Sequence, residues 1–309
     1  MNKKLVTYLL VFLLLGIGVA GCNESNVKGI EEEGEEPQVV VVKKDTGEEK
    51  EMMLEEYIAG VVGGEMKPEW PENAYAAQAI IARTYVMEYM DRKETNQISA
   101  DFKEAQAFKP ENVTDIIKSA VDKTRGEVAL YNDKYIRAWF HSSAAGQTTS
   151  AKAGLAFAEE EPPYIISVES PDELAPPDVK NWSASFDNQS IAKALNQVAG
   201  VEAGQITDIE ITEKDDTGRA TKLKFSYDGG SKEVSAPKFR NAIDPVEFKS
   251  TMIKEISNQG GKFTFKGSGF GHGVGMSQWG AHKMAKDGKS PEDIIRHYYK
   301  DIKIKKMYE

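Results

Sequence analysis

Between residues 267 and 275 every second residue is glycine, in the run Gly267-Ser268-Gly269-Phe270-Gly271-His272-Gly273-Val274-Gly275. Glycine at alternate positions lets a backbone take positive φ and come close to whatever lies opposite it. The stretch is therefore read as a loop, and Met276-Ser277-Gln278-Trp279-Gly280 leads it into a predicted helix whose free N–H groups could meet a polar group. It is not a dinucleotide fingerprint, because in every register the third glycine falls on His272, Val274, Met276 or Gln278. Gly288-Lys289-Ser290 ends like a phosphate loop, but Lys283 stands where the first glycine belongs. With nucleotides excluded, His272, Ser277 and Gln278 remain as polar groups on a glycine-rich loop beside Trp279, a mixture that suits sugar recognition. The plainer reading is a tight turn with a hydrogen-bonded histidine.

A second unusual stretch is Gly63-Gly64-Glu65-Met66-Lys67-Pro68-Glu69-Trp70, which leads to Ala77-Gln78-Ala79-Ile80-Ile81-Ala82-Arg83-Thr84-Tyr85. Glu65 lies between an apolar predicted helix and Met66, with Trp70 close in sequence. A carboxyl kept partly from water has its pKa raised and can donate a proton near neutral pH. Arg83 is embedded in an apolar helix, so its charge needs a partner: a carboxylate such as Glu65, or an anionic or polar ligand. The plainer readings are a structural Glu65–Arg83 ion pair, or an exposed helix-end acid at Glu65. Glu69 and Glu72 are explained by a helix start, where the dipole favours acids. His141 is followed by Ser142 and Ser143, but no spacing identifies a serine nucleophile.

Partners are bounded by charge and by the N-terminus. The net charge is -10 and no long Lys/Arg run occurs, which argues against nucleic acid. Lys3 and Lys4 precede an apolar run over residues 5–20 that ends in small residues, as a secretory signal does. The run closes on Val19-Ala20-Gly21-Cys22, similar to the lipobox of bacterial lipoproteins, where the cysteine is acylated and becomes the new N-terminus. Residues 1–21 are thus expected to be a signal peptide and Cys22 a lipid-bearing residue, with a plain membrane span as the competing reading. Residues 22–37, with Glu31-Glu32-Glu33-Gly34-Glu35-Glu36, read as an acidic tether that repels itself. The protein is then expected outside the cytoplasmic membrane, held by lipid and facing the cell wall. Cys22 is the only cysteine and His141, His272, His282 and His297 the only histidines, so a metal site is poorly supplied and none is expected.

The rest reads as one folded region, residues 38–309, of α+β class, with hairpin-rich antiparallel sheets and flanking helices. Hairpins are predicted over residues 39–54 and 127–140, and helices over 54–62, 74–90, 113–122, 191–198, 281–287 and 291–299. Gly63-Gly64 is expected to end the first helix and Pro71 to open the second. A smaller inserted subdomain is expected over about residues 180–260, with paired strands at 206–213 and 221–227.

Taken together, Glu65-Met66, Ala77-Gln78-Ala79, Ala82-Arg83-Thr84-Tyr85, Phe140-His141-Ser142 and the run from Gly269 to Ala281 resemble the stage II sporulation protein D / amidase-enhancer family. Thr217-Gly218-Arg219 and Phe239-Arg240 are similar to it as well, and the resemblance runs from about Val39 to the C-terminus. It implies a lytic transglycosylase of peptidoglycan, acting on glycan strands stripped of stem peptides, with Glu65 as the essential acid. It also implies that Arg83, Tyr85, His141, Ser142, His272, Ser277 and Gln278 line the cleft. Lys67 departs from the pattern, which has proline directly after the methionine; here the proline is Pro68. Some members hold zinc with the histidine at His141 and two nearby cysteines. Ser143 and Ala145 stand in that segment here, so the metal is not carried over and no cofactor is expected. The rival expectation is a non-catalytic peptidoglycan-binding enhancer whose partner is a separate cell-wall amidase. A transporter's solute-binding lipoprotein, a third reading, would need two similar α/β lobes that this pattern does not offer.

Overall fold

The computed structural model describes residues 34–43, 46–100 and 105–309. Cys22, the expected signal peptide and most of the expected acidic tether lie outside the described residues. The tether's end does not. Gly34 bridges to Tyr308, Glu36 accepts a 2.8 Å hydrogen bond from the Glu55 backbone N–H, and its other oxygen pairs with Arg125. The folded body therefore begins before residue 38, because an acid that finds a cation and an N–H is worth more docked than solvated.

The fold is α+β, as expected, and is organised around the helix Glu72–Lys93. Its stretch from Ala74 to Thr84 is buried without interruption, alanine on several sides letting neighbours approach. A helix buried all round needs partners all round. It packs against the helices Leu54–Glu65, Asp115–Lys123, Gln278–Lys286 and Pro291–Tyr298 and the strand Glu127–Tyr131. Pro71 takes the N-cap position and Glu72 in the first turn accepts from Ser119 and Lys123.

Around this helix lie small sheets. Gln38–Lys43 and Glu48–Met53 form the expected first hairpin, and Gln97–Ser99 adds to it in parallel. Glu127–Tyr131 and Lys134–Tyr135 form the second, turning through Asn132 and Asp133 at positive φ, and Lys303–Lys306 joins the other edge. That second hairpin is shorter than predicted. Phe140–His141 leaves it to pair in parallel with Met276–Ser277, which ties the histidine segment to the glycine loop.

Residues 182–265 contribute a second hydrophobic cluster, containing Trp182, Leu195, Phe225, Phe239, Phe248 and Phe265. Two antiparallel three-stranded sheets carry it, one ordered Gly230–Ser235, Ala220–Tyr227, Ile206–Lys214 and the other Ile253–Gln259, Lys262–Gly267, Trp182–Asp187. Trp182 pairs with Gly267, so the segment leaves and rejoins the rest at one point, directly before the glycine loop. No helix among the described residues is long and apolar enough to cross a membrane.

Candidate active site

Glu65 is the last residue of the helix Leu54–Glu65. The helix was expected to stop at Gly63-Gly64, yet it runs through both, at a propensity cost of about 1 kcal/mol per glycine relative to alanine. The gain is contact. A Cβ on Gly64 would collide with the Ala107 carbonyl, and one on Gly60 with the Phe108 ring, so the chain at 107–109 lies flat on the helix. Lys109 N–H donates to the Gly60 carbonyl at 2.9 Å, and the Asn112 amide to the Gly63 carbonyl at 3.1 Å. In the same segment, the Ala107 N–H donates to Glu65 Oε1 at 2.6 Å. The flat glycine face thus places a backbone donor on the acid.

The glycine loop forms the other wall. Gly269, Gly271, Gly273 and Gly275 all take positive φ. A Cβ on Gly271 would stand 2.7 Å from His141 Cβ, and one on Gly275 would meet the Trp139 carbonyl and the Tyr299 ring. The loop can therefore lie against the strand: Phe270 and Ser143 exchange backbone hydrogen bonds at 2.9 and 3.0 Å, and Trp279 N–H donates to the Ser142 carbonyl at 3.0 Å. Ser277 then caps the helix Gln278–Lys286. Gln278, the first residue of that helix, donates to Gln78 Oε1 at 3.4 Å, and its amide lies close enough to the Glu65 carboxyl to favour the ionised form.

Glu65 is consequently enclosed by three elements but keeps some exposure. Burial pushes its pKa up, and the hydrogen bonds from Ala107 N–H and Gln278 offset this only in part. Its place at a helix C-terminus, where the backbone dipole is negative, also works against ionisation. The group can hold a proton at a pH where an open carboxylate has lost it.

These two segments are also where known proteins match. A stage II sporulation protein profile matches residues 42–131, and a profile for a domain of unknown function matches residues 159–275. The stage II sporulation protein D of Bacillus amyloliquefaciens is 31% identical over 271 residues, covering 81% of this chain and 74% of that protein. The chain belongs to the stage II sporulation protein D family. An uncharacterized protein of Brachyspira hyodysenteriae is 31% identical over 260 residues, covering 82% of this chain and 67% of that protein. The amidase enhancer of Bacillus subtilis is 25% identical over 282 residues, 78% of this chain but 39% of the relative.

Not every residue expected in the family's cleft stands beside Glu65. Arg83 has no solvent exposure, and its partner is Glu55 rather than Glu65: Nε and Nη2 donate to the two carboxylate oxygens at 2.8 and 2.6 Å. Nη1 donates to the Glu127 carbonyl at 2.8 Å, and with no exposure the remaining N–H groups are out of a ligand's reach. The expectation of a substrate contact is corrected to a structural ion pair, at the opposite end of the first helix from the acid. Ser277 is likewise fully buried and spent on its cap and on Asp172, so it is no substrate contact either. Tyr85 is partly buried, and the pKa of the buried Tyr57 is raised by burial first and then by the charges of Tyr85 and Glu65, which places both near it. Sequence reasoning passed over Tyr57, whose hydroxyl is buried without a partner among the described residues and whose ring stacks on Phe108 at 5.3 Å.

His141 and His272 face one another at 5.4 Å. His141 is buried, with Nδ1 on the Val274 carbonyl at 3.1 Å, so the proton sits on Nδ1 and Nε2 is a buried acceptor without a partner among the described residues. His272 Nδ1 accepts from Val274 N–H at 3.0 Å and its other nitrogen serves the Phe140 carbonyl. Burial, then the charges of Arg240 and Arg219, push His272 down to about 3, against a weaker opposing pull from that carbonyl. Burial and the neighbouring His272 and Arg219 also drive His141 well below its ordinary value. Both rings are neutral at physiological pH, which suits positioning rather than proton donation. Ser142 is partly exposed and its carbonyl, not its hydroxyl, carries the contacts to the loop.

The zinc set of some relatives does not fit here. Ser143 Oγ donates to Asp172 at 2.8 Å, Ala145 has no ligating atom, and no group of three or more metal-ligating side chains occurs among the described residues. Arg219 and Arg240, noticed in sequence only for likeness, lie buried under the loop; a Cβ on Gly273 would come 2.6 Å from Arg219 Nε. Lys67, the departure from the family pattern, is exposed, and its carbonyl is held by Tyr75 OH at 2.8 Å. A hollow of about 570 Å³ is lined by Gln147, Glu169, Thr217, Met252 and His297 among others and does not include Glu65.

Proposed function

We propose that this chain is a peptidoglycan lytic transglycosylase in which Glu65 serves as both acid and base. The observation that carries the reading is the enclosure of Glu65 at its helix end, where Ala107 N–H holds Oε1 at 2.6 Å and burial raises the carboxyl's pKa. Ordinary glycosidases use two carboxyls. Here the rings of His141 and His272 are neutral and bound to backbone and Arg83 is committed to Glu55, so the reading gives both roles to Glu65. Protonated Glu65 gives its proton to the oxygen bridging N-acetylmuramic acid and N-acetylglucosamine, and the C1–O bond breaks with its electrons going to that oxygen. The resulting carboxylate removes the proton from the muramic C6 hydroxyl. The O6 electron pair closes on C1, forming the 1,6-anhydro ring and returning Glu65 to its protonated state. Proton transfer of this kind contributes about 10²–10⁴-fold. The test is digestion of peptide-free glycan by purified protein, with mass spectrometry of the products. Glu65→Gln is expected to bind glycan and form no anhydro-muramic ends; undiminished product would remove Glu65 from the role.

The likeness to the amidase enhancer supports a second reading, in which the same surface holds glycan without cutting it and stimulates a separate amidase. Wild-type protein that binds glycan, yields no anhydro product and accelerates an added amidase would select it. In either reading the chain works outside the membrane, anchored by a lipid on Cys22. Replacement by Cys22→Ala is expected to release the protein from the membrane fraction, measured by fractionation and by mass spectrometry of the N-terminal peptide.

A further inference from the structure

We infer that Asp172 is a positioning residue for the Glu65 site: its buried carboxylate gathers the hydroxyls of Ser143, Ser170 and Ser277 and thereby fixes where Gln278 meets Glu65. The inference deepens the reading of Glu65 as the working acid, but its geometry stands without it. Asp172 Oδ2 accepts from Ser143 Oγ at 2.8 Å, and Oδ1 accepts from Ser170 Oγ at 2.7 Å and Ser277 Oγ at 2.8 Å. All four residues are buried. No lysine or arginine donates a hydrogen bond to this carboxylate among the described residues; serine hydroxyls alone satisfy it. Ser170 Oγ also meets Tyr298 OH at 2.8 Å, which joins the cluster to the helix Pro291–Tyr298. Three separate pieces of chain, the strand end at 143, the turn at 170–172 and the loop end at 277, are thus tied at one point.

The consequence for Glu65 follows from what a serine hydroxyl can do. It has one proton and two acceptor lone pairs. By accepting the Ser277 O–H, Asp172 turns the lone pairs toward the helix, where Ser277 Oγ accepts the Gly280 N–H at 3.2 Å and caps it. Without Asp172, the competing acceptor is the Ser142 carbonyl at 3.4 Å. The helix start is also pressed onto the cluster: a Cβ on Gly280 would lie 3.2 Å from Asp172 Oδ1 and 2.5 Å from Ser170 Oγ, and would strike Tyr298 OH. Gln278 is the residue next to that cap, and its amide reaches both Gln78 and Glu65. Asp172 sits in Ser170-Pro171-Asp172-Glu173, which carries no motif and gives no sign of burial.

The test is the titration of the Glu65 carboxyl by ¹³C NMR in the full-length purified protein, which needs no catalysis. Wild type, Asp172→Ala, Gln278→Met and the double variant are compared. The Gln278 hydrogen bond lowers the Glu65 pKa, so its loss raises the midpoint. Both single variants are expected to shift it upward by similar amounts, and the double variant no further than either. A folded Asp172→Ala protein whose Glu65 titrates as in wild type overturns the inference, as does an additive double variant. Should Asp172→Ala not fold, Ser277→Ala severs the same link and leaves the other two serines in place; an unmoved midpoint there is equally fatal. In the glycan digest, Asp172→Ala is expected to lose turnover by about 10²-fold through misplacement, with KM unchanged. If wild type cuts no glycan, the transglycosylase reading fails while the titration still judges Asp172.

Discussion

Replacing Glu55 by glutamine tests the most deeply enclosed ion pair near the site. Arg83 has 0% exposure and Glu55 7%, so water cannot take over for a lost partner. The Glu55 carboxylate accepts Arg83 Nε and Nη2, and its Oε1 also accepts Gly126 N–H at 3.0 Å and Tyr308 OH at 2.6 Å. A glutamine must turn its NH₂ toward one of these donor groups, and neither orientation restores the charge. Breaking one side of a buried pair costs about 3–5 kcal/mol, because a cation is left without its anion. That is a large part of a typical stability of about 5–15 kcal/mol. In urea unfolding at pH 7, with a slope of about 2–3 kcal/mol per M, the midpoint is expected to fall by roughly 1–2.5 M with the slope unchanged. The pH dependence gives a second handle. Burial by itself would raise the Glu55 pKa, but the hydrogen bonds and charge of Arg83, with Tyr308 and Gly126, outweigh it and hold it below the ordinary 4.5. A depressed carboxylate stabilises the fold above its unfolded pKa and loses that contribution as pH falls through its folded value. The gap between wild type and Glu55→Gln should therefore narrow on acidification. A loss under about 1 kcal/mol at pH 7 would refute the reasoning from desolvation, and so would a gap that widens in acid.

Two further outcomes follow from the neighbourhood of Glu65. If it donates the first proton, kcat/KM is expected to be level in mild acid and to fall as pH rises through its burial-raised pKa; a rate that climbs through that range would count against it. Gly64→Ala forces a methyl into the Ala107 carbonyl, at about 1–3 kcal/mol for overpacking, and displaces the donor on Glu65. Glycan cleavage should fall more steeply than the thermal midpoint, whereas a variant with native turnover would show that the Ala107 contact is dispensable.

What could be read in advance was what local chemistry decides. The Ala-rich stretch made its helix, Pro71 and Glu72 marked its start, and Asn132-Asp133 turned a hairpin, because each depends on a few adjacent residues. The failures share one cause, which is a partner distant in sequence. Gly63-Gly64 looked like a helix end because intrinsic propensity says so, but the packing of the 107–109 chain on them overrides that preference. Glu36 looked like tether until Arg125 and Glu55 gave it a docking place. Arg83 did need an acid, as its apolar surroundings required, yet sequence offered no way to choose Glu55 over Glu65.

The same limit governs the site itself. Its two motifs were each visible, and glycine at alternate positions announced a close backbone approach, but against what was hidden until Phe140–His141 paired with Met276–Ser277. That pairing fixes Ser277, Ser277 caps the helix that carries Gln278, and Gln278 reaches the carboxyl at the end of the first helix. Every link joins residues far apart in the chain or hangs on one that does. An acid at position 65 is ordinary in any helix end; this one differs because the Ala107 segment and the Gln278 helix enclose it, and that burial raises its pKa more than their hydrogen bonds lower it. Disturbing the closure without touching the acid should thus change its titration first and the stability of the fold second.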